Sequence, residues 1–175
     1  TNIARFLVKY DSAKASTRQV VGVQNSESSF YLGYDGTKFG FMHQHGGRCA
    51  IYTLKINSLS VAQTVTLTLN GVAYTISLAT GLSVQQAASV ISDYNFNNVW
   101  LASQIGDTVY LLSGQAAVLG GTFSVSSSGN LNATLTQVNA GVAPTIEWKY
   151  AGTDFTLPSW VDLTQYNKFQ MKYSW

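Results

Sequence analysis

The stretch Thr64-Val65-Thr66-Leu67-Thr68-Leu69-Asn70-Gly71-Val72-Ala73-Tyr74-Thr75-Ile76 decides how this chain folds. Two runs alternate apolar and polar residues with period two, the side-chain repeat of a β-strand. Asn-Gly between them is the pair favoured by a type I′ turn, whose two central residues both take positive φ. A two-residue turn sets Leu69 opposite Val72, Leu67 opposite Tyr74 and Val65 opposite Ile76. One face is then wholly apolar. The other carries Thr64, Thr66 and Thr68 against Ser77, Thr75 and Ala73. A slip of one residue sends the apolar set to solvent, so turn chemistry and alternation agree on one register.

Downstream, Ser83 stands three residues before Gln86, the spacing of a capping box that satisfies free N–H groups at a helix start. Val84, Ala87, Ala88, Ile91 and Tyr94 then follow the helical i, i+3, i+4, i+7 pattern. The helix is expected to end near Asp93, before the breaker Asn95-Phe96-Asn97-Asn98. Val99–Ile105 and Thr108–Ser113 read as a second hairpin across Gly106-Asp107, a Gly-first pair suited to a type II′ turn. A third pair, Phe123–Ser126 and Leu131–Val138, flanks Ser127-Ser128-Gly129-Asn130. The expected unit is β-β-α-β-β plus a trailing hairpin, one sheet with a helix on its apolar face.

Charge marks this unit off from the rest. Residues 56–143 hold two charged side chains, Asp93 and Asp107. The flanks, 1–55 and 144–175, hold all ten Lys and Arg, both His and six of the eight acids. A boundary this sharp reads as an inserted α+β domain, 56–143, within a discontinuous host, 1–55 with 144–175. The host reads as all-β. Arg5–Tyr10 and Gln19–Val23 are short strands. Phe30–Tyr34 and Thr37–His43 form a hairpin across Asp35-Gly36, another type I′ pair. Cys49–Ile56, Ile146–Tyr150 and Phe169–Trp175 are further strands. Many short strands at close turn spacing indicate a sandwich or jelly-roll-like fragment. The fold class is therefore mainly β, with a small α+β insert.

Composition excludes several classes. Charged residues are 10% of the chain, against about 25% in ordinary soluble domains, and hydrophobic residues are 46%. That combination is the reverse of a disordered chain. Net charge is +2 with no basic run, so no footprint for nucleic acid or an anionic membrane appears. One cysteine permits no internal disulfide and no Cys-based zinc cage. No apolar run reaches the roughly 18 residues of a spanning helix, and no signal peptide is visible. The chain begins at Thr1 without Met and ends at Trp175 inside an apolar run, the expectation for a processed or partial piece.

Candidate chemistry is sparse. His43 and His45 sit two apart on a strand, so both point to one face, as two metal ligands do. No neighbouring Asp, Glu or Cys in sequence completes a set, and a solvated pair is the plainer reading. Cys49 as a nucleophile needs a base and an orienting group. Its strand setting favours a small buried residue. Glu147 and Asp154 flank Trp148, as a glycosidase pair flanks an aromatic platform, but two acids among eight pair by chance. No nucleophile elbow, P-loop, dinucleotide fingerprint or zincin motif is present. We therefore expect no catalytic residue, no metal site and no cofactor. Exposed rings, Trp148 and Trp160 first, are candidates for stacking on sugars, although aromatics mostly fill β cores. Asn132-Ala133-Thr134 is a glycosylation sequon within an expected strand.

The run Phe30-Tyr31-Leu32-Gly33-Tyr34-Asp35-Gly36-Thr37-Lys38-Phe39-Gly40-Phe41-Met42-His43, then Gly46-Gly47 and Thr53-Leu54-Lys55-Ile56, resembles a group of virion structural proteins. The group occurs in large DNA viruses of algae and in tailed phages. Val65–Thr75 is similar to the β-β-α-β-β unit inserted in those proteins and in flagellar hook-associated proteins. Ala140–Pro144 and Leu163–Trp175 resemble the group in the same order, so the likeness covers most of 17–175. It departs at 151–162, where a Gly-rich loop is usual and Phe155-Thr156-Leu157-Pro158-Ser159-Trp160 stands here. Group members continue with more strands beyond the position of Trp175, which implies that a neighbour completes the sandwich. The resemblance brings no catalytic residue. It implies a non-enzymatic virion component, a capsid-associated, spike or tail-fibre block, partnered by copies of itself or other virion proteins. The alternative is a carbohydrate-binding adhesin module that recognises host glycans.

Overall fold

The computed structural model describes residues 2–11 and 13–173; Ser174 and Trp175, expected to end the last strand, lie outside them. The chain is mainly β, with strands β1 (Asn2–Val8), β2 (Gln19–Gln24), β3 (Ser29–Tyr34), β4 (Phe39–His45), β5 (Ile51–Ser58), β6 (Gln63–Leu69) and β7 (Val72–Leu78) before helix α1 (Val84–Ser92). After it come β8 (Trp100–Ile105), β9 (Thr108–Ser113), β10 (Ser124–Ser127), β11 (Asn132–Asn139), β12 (Thr145–Tyr150) and β13 (Asn167–Tyr173). The α1 helix is too short and too polar to cross a membrane. Two compact units form: Thr1–Gly46 with Pro144–Trp175, and Gly47–Ala143.

The first unit holds a four-stranded antiparallel sheet, β12-β4-β3-β2, and the antiparallel pair β1-β13. Tyr10, Leu32, Phe39 and Met171 form its buried centre, joined by Phe6, Phe30, Phe41 and Phe169. Tyr10 packs edge-on against Phe39 at 5.3 Å, and its buried hydroxyl donates to the Leu32 carbonyl at 2.7 Å. Burial, with Tyr34 beside it, pushes the Tyr10 phenol up to about 12.

The second unit holds two sheets, β10-β6-β7 and β11-β5-β9-β8, around one core. The deciding hairpin has the expected register, with Leu69 opposite Val72 and Val65 opposite Ile76. Asn70 and Gly71 take φ of 52° and 82°, as a type I′ turn requires. Val65, Leu67 and Leu69 are fully buried, while Val72 at the hairpin end stays half exposed. The Ser83–Gln86 capping box is complete in both directions. Ala87, Ala88 and Ile91 bury one stripe of α1, which lies against β5, β8, β9 and β7. Gly106 turns at φ 62° between β8 and β9, with Ile105 opposite Thr108.

Four expectations are corrected. The trailing hairpin does not form: β10 pairs with β6 and β11 with β5, so the two belong to different sheets. The unit accordingly has two sheets where one was expected. Its first boundary falls at Gly47 rather than residue 56, because β5 pairs with β9 and β11 and buries Tyr52, Leu54 and Ile56 in this core. Lys55, although charged, is exposed on the opposite face of that strand, so the charge boundary and the packing boundary differ. Finally, Asp35-Gly36 is no type I′ turn. Tyr34 pairs with Phe39, Gly36 alone takes positive φ (122°), and residues 35–38 form the connection.

Candidate functional site

One face of the β12-β4-β3-β2 sheet is turned away from the Leu32–Phe39 core and carries aromatics. Side chains directly opposite one another in a ladder share a face. Trp148 lies opposite Met42, Met42 opposite Tyr31, and Tyr150 opposite Gly40. Trp148 and Tyr150, two apart on the edge strand β12, hold their rings parallel to within 2° with centroids 5.8 Å apart. Both are half-buried. Gly40 is required here, since a Cβ would fall 2.3 Å from the Lys149 carbonyl oxygen and 3.1 Å from the Tyr150 ring. The Tyr31 hydroxyl donates to Gln24 Oε1.

The end of this strip is anchored. The Tyr150 hydroxyl donates to Asp35 Oδ2 at 2.8 Å, and Lys38 Nζ stands 5.3 Å from the Tyr150 ring centre. Asp35 also accepts from the backbone N–H groups of Thr37 (2.7 Å) and Lys38 (2.9 Å). Those amides, then the phenol, hold its carboxyl well below the usual carboxylate range. The same bond pushes the Tyr150 phenol up. The strip presents parallel rings and uncharged amides, a surface suited to stacking against the apolar face of a sugar or against aliphatic side chains.

The sequence-level candidates fall in separate places. His43 and His45 stack at 4.6 Å on the opposite face of β4, and His45 Nε2 lies 3.5 Å from Glu147 Oε1. Both partners are about half exposed, and among the described residues no group of three His, Cys, Asp or Glu is placed to hold a metal. Cys49 is buried, and belongs to the second unit. Glu147 is engaged with His45, whereas Asp154 accepts from the Tyr150 backbone N–H at 2.7 Å and shapes the turn after β12. Asn132 opens β11 and accepts from Asn57 Nδ2 at 3.2 Å.

The tryptophans separate in the same way. Trp100 is core, Trp160 is 77% exposed, and Trp175 lies outside the described residues. Trp160 follows Pro158, whose carbonyl accepts from Val161 N at 2.9 Å. Tyr31, Met42 and Tyr150 escaped the sequence reading. Alternation on β12 puts Tyr150 beside Trp148, but β3 and β4 join them only through pairing. No family model and no curated protein matches this chain.

Proposed function

We propose that the chain is a non-enzymatic structural component of a virion, a capsid-associated, spike or fibre block that works by packing against copies of itself or other virion proteins. In this reading the first unit is the host sandwich and the second an inserted domain. Arg48 and Val142 exchange backbone hydrogen bonds (3.1 and 2.8 Å), so the second unit leaves and re-enters the chain at one place, as an insert does. The observation that carries the functional reading is the apolar side-chain surface left on regular strands. Leu101 is 58% exposed, Ile105 70%, Leu7 69% and Ile3 49%, in a chain with few charges to keep copies apart. Surfaces of this kind desolvate at low cost and suit lasting subunit contacts.

Two measurements test it. An antibody against the chain should label purified particles at regular positions by immunogold microscopy, and sedimentation of the purified chain should show a multimer. A dilute monomer and unlabelled particles would sink the proposal. The exposed Trp160 and the Trp148–Tyr150 strip support a second reading, an adhesin that stacks on host glycans. A glycan array with hits that disappear in Trp148→Ala or Trp160→Ala favours it, and an array with no hits removes it.

A further inference from the structure

Strand β8 is the outer strand of the sheet β11-β5-β9-β8. Gly114 N donates to Val99 O at 2.8 Å, and Ser113 N donates to Ala50 O on the β5 side at 2.9 Å. Antiparallel alternation then turns the peptide groups of Leu101, Ser103 and Ile105 toward β9. Those of Trp100, Ala102 and Gln104 point out along the open edge. Native edges are usually blunted by charge, proline or a bulge. Trp100–Ile105 has no charged residue and no proline, and its pairing with β9 runs without a shift. On the outer face Leu101, Ser103 and Ile105 line a shallow groove with Ile51, Tyr110 and Leu112. None of the six is charged; Asp107 sits in the turn beyond Ile105, and Lys55 lies two strands inward across the ladder from it.

We propose that β8 pairs antiparallel with β8 of a second copy of this chain, extending the sheet from four strands to eight about a two-fold axis. The inference rests on the packing reading above and names the surface that does the packing. An open edge offers alternating donors and acceptors that another extended backbone satisfies. The strand is also its own complement. With Leu101 opposite Ile105 of the second copy, Ile105 meets Leu101 in return and Ser103 faces its own copy on the axis. The outward peptide groups of Ala102 and Gln104 then form the hydrogen-bonded pairs. Charge agrees with this occupant. An uncharged face meets an identical uncharged face with no ion to desolvate, whereas a strongly charged partner finds no counter-charge here.

The test uses the full chain. Ser103→Lys sets two ammonium groups opposite each other on the axis, and Ser103→Glu two carboxylates. In sedimentation equilibrium each variant should self-associate about tenfold or more weakly than wild type. An equimolar mixture of the two should recover association. Ser103→Cys should give a disulfide-linked dimer on mild oxidation, because a non-hydrogen-bonded pair brings Cα atoms within bridging distance. Circular dichroism checks that each variant is folded, and Ser77→Lys on the exposed face of β7 should leave association unchanged. Wild-type association that survives Ser103→Lys, with no Ser103→Cys cross-link, overturns the β8 pairing and leaves the packing function standing. A wild-type chain that stays monomeric at every concentration overturns both.

Discussion

Asp35 accepts hydrogen bonds from Thr37 N, Lys38 N, Tyr150 Oη and Thr37 Oγ1. All four favour the charged carboxylate, so its pKa in the fold lies below the unfolded value. Stability from this group is therefore present above about pH 4 and is lost as pH falls below it. Hydrogen-exchange protection across the β3–β4 hairpin, taken relative to the intrinsic exchange rate at each pH, should fall on acidification through that range in wild type and lose that dependence in Asp35→Asn. Tyr10 titrates with the opposite sign. Its raised phenol pKa means a contribution present below about pH 10 and lost as pH rises toward 12. Tyr10→Phe should cost about 1 kcal/mol at neutral pH, through the lost bond to the buried Leu32 carbonyl. Alkaline denaturation curves should then show the wild type losing its advantage over the variant across that window. Neither effect was legible from sequence. Asp35 was visible as a turn residue, but its partner Tyr150 lies far along the chain and arrives through β12–β4 pairing.

At the scale of elements, local chemistry carries most of the information. Asn70-Gly71 and Ser83-Gln86 act within four residues of themselves, and both form as their sequences require. Gly71→Ala forces a Cβ into left-handed backbone at φ 82° and should cost about 1 kcal/mol, with solvent rather than a clash beside it. Ser83→Ala removes the acceptor for Gln86 N and should cost a similar amount, about 1 kcal/mol. Chemical denaturation of the two variants measures both. The breaker at residues 95–98 ends α1 as its sequence implies, but the burial of its one ring rests on a longer-range contact. Phe96 sits in an asparagine-rich breaker, yet it is buried against Tyr74 at 5.0 Å. Asn97 and Asn98 supply the positive φ that lets the chain drop that ring into the core and leave again.

At the scale of the whole molecule, the second unit has its own core, its own sheets and ends tied together by Arg48 and Val142. A fragment of residues 47–143 should therefore fold alone, with a cooperative thermal transition and a dispersed proton spectrum. The remainder should also close, because β4 and β12 pair with His45 opposite Thr145 and a two-residue turn can join them. A fragment 47–143 without a cooperative transition would show that the ends need the first unit to hold them. The self-association test on β8 belongs to this scale too, since it asks what completes an edge that no strand of this unit occupies.

The sequence by itself determined the β3–β4, β6–β7 and β8–β9 hairpins, the capped helix and the mainly β class, because turn residues, caps and side-chain period act between near neighbours. Tertiary structure decided which hairpins share a sheet, where β10 and β11 part company, and that β5 belongs with the second core. It also decided that Tyr31, Met42, Trp148 and Tyr150 share one face. The physical reason is that every strand repeats with period two and offers the same backbone groups at its edge. Alternation therefore says which side chains face inward, while the choice of partner strand waits on shape and burial summed over the whole unit.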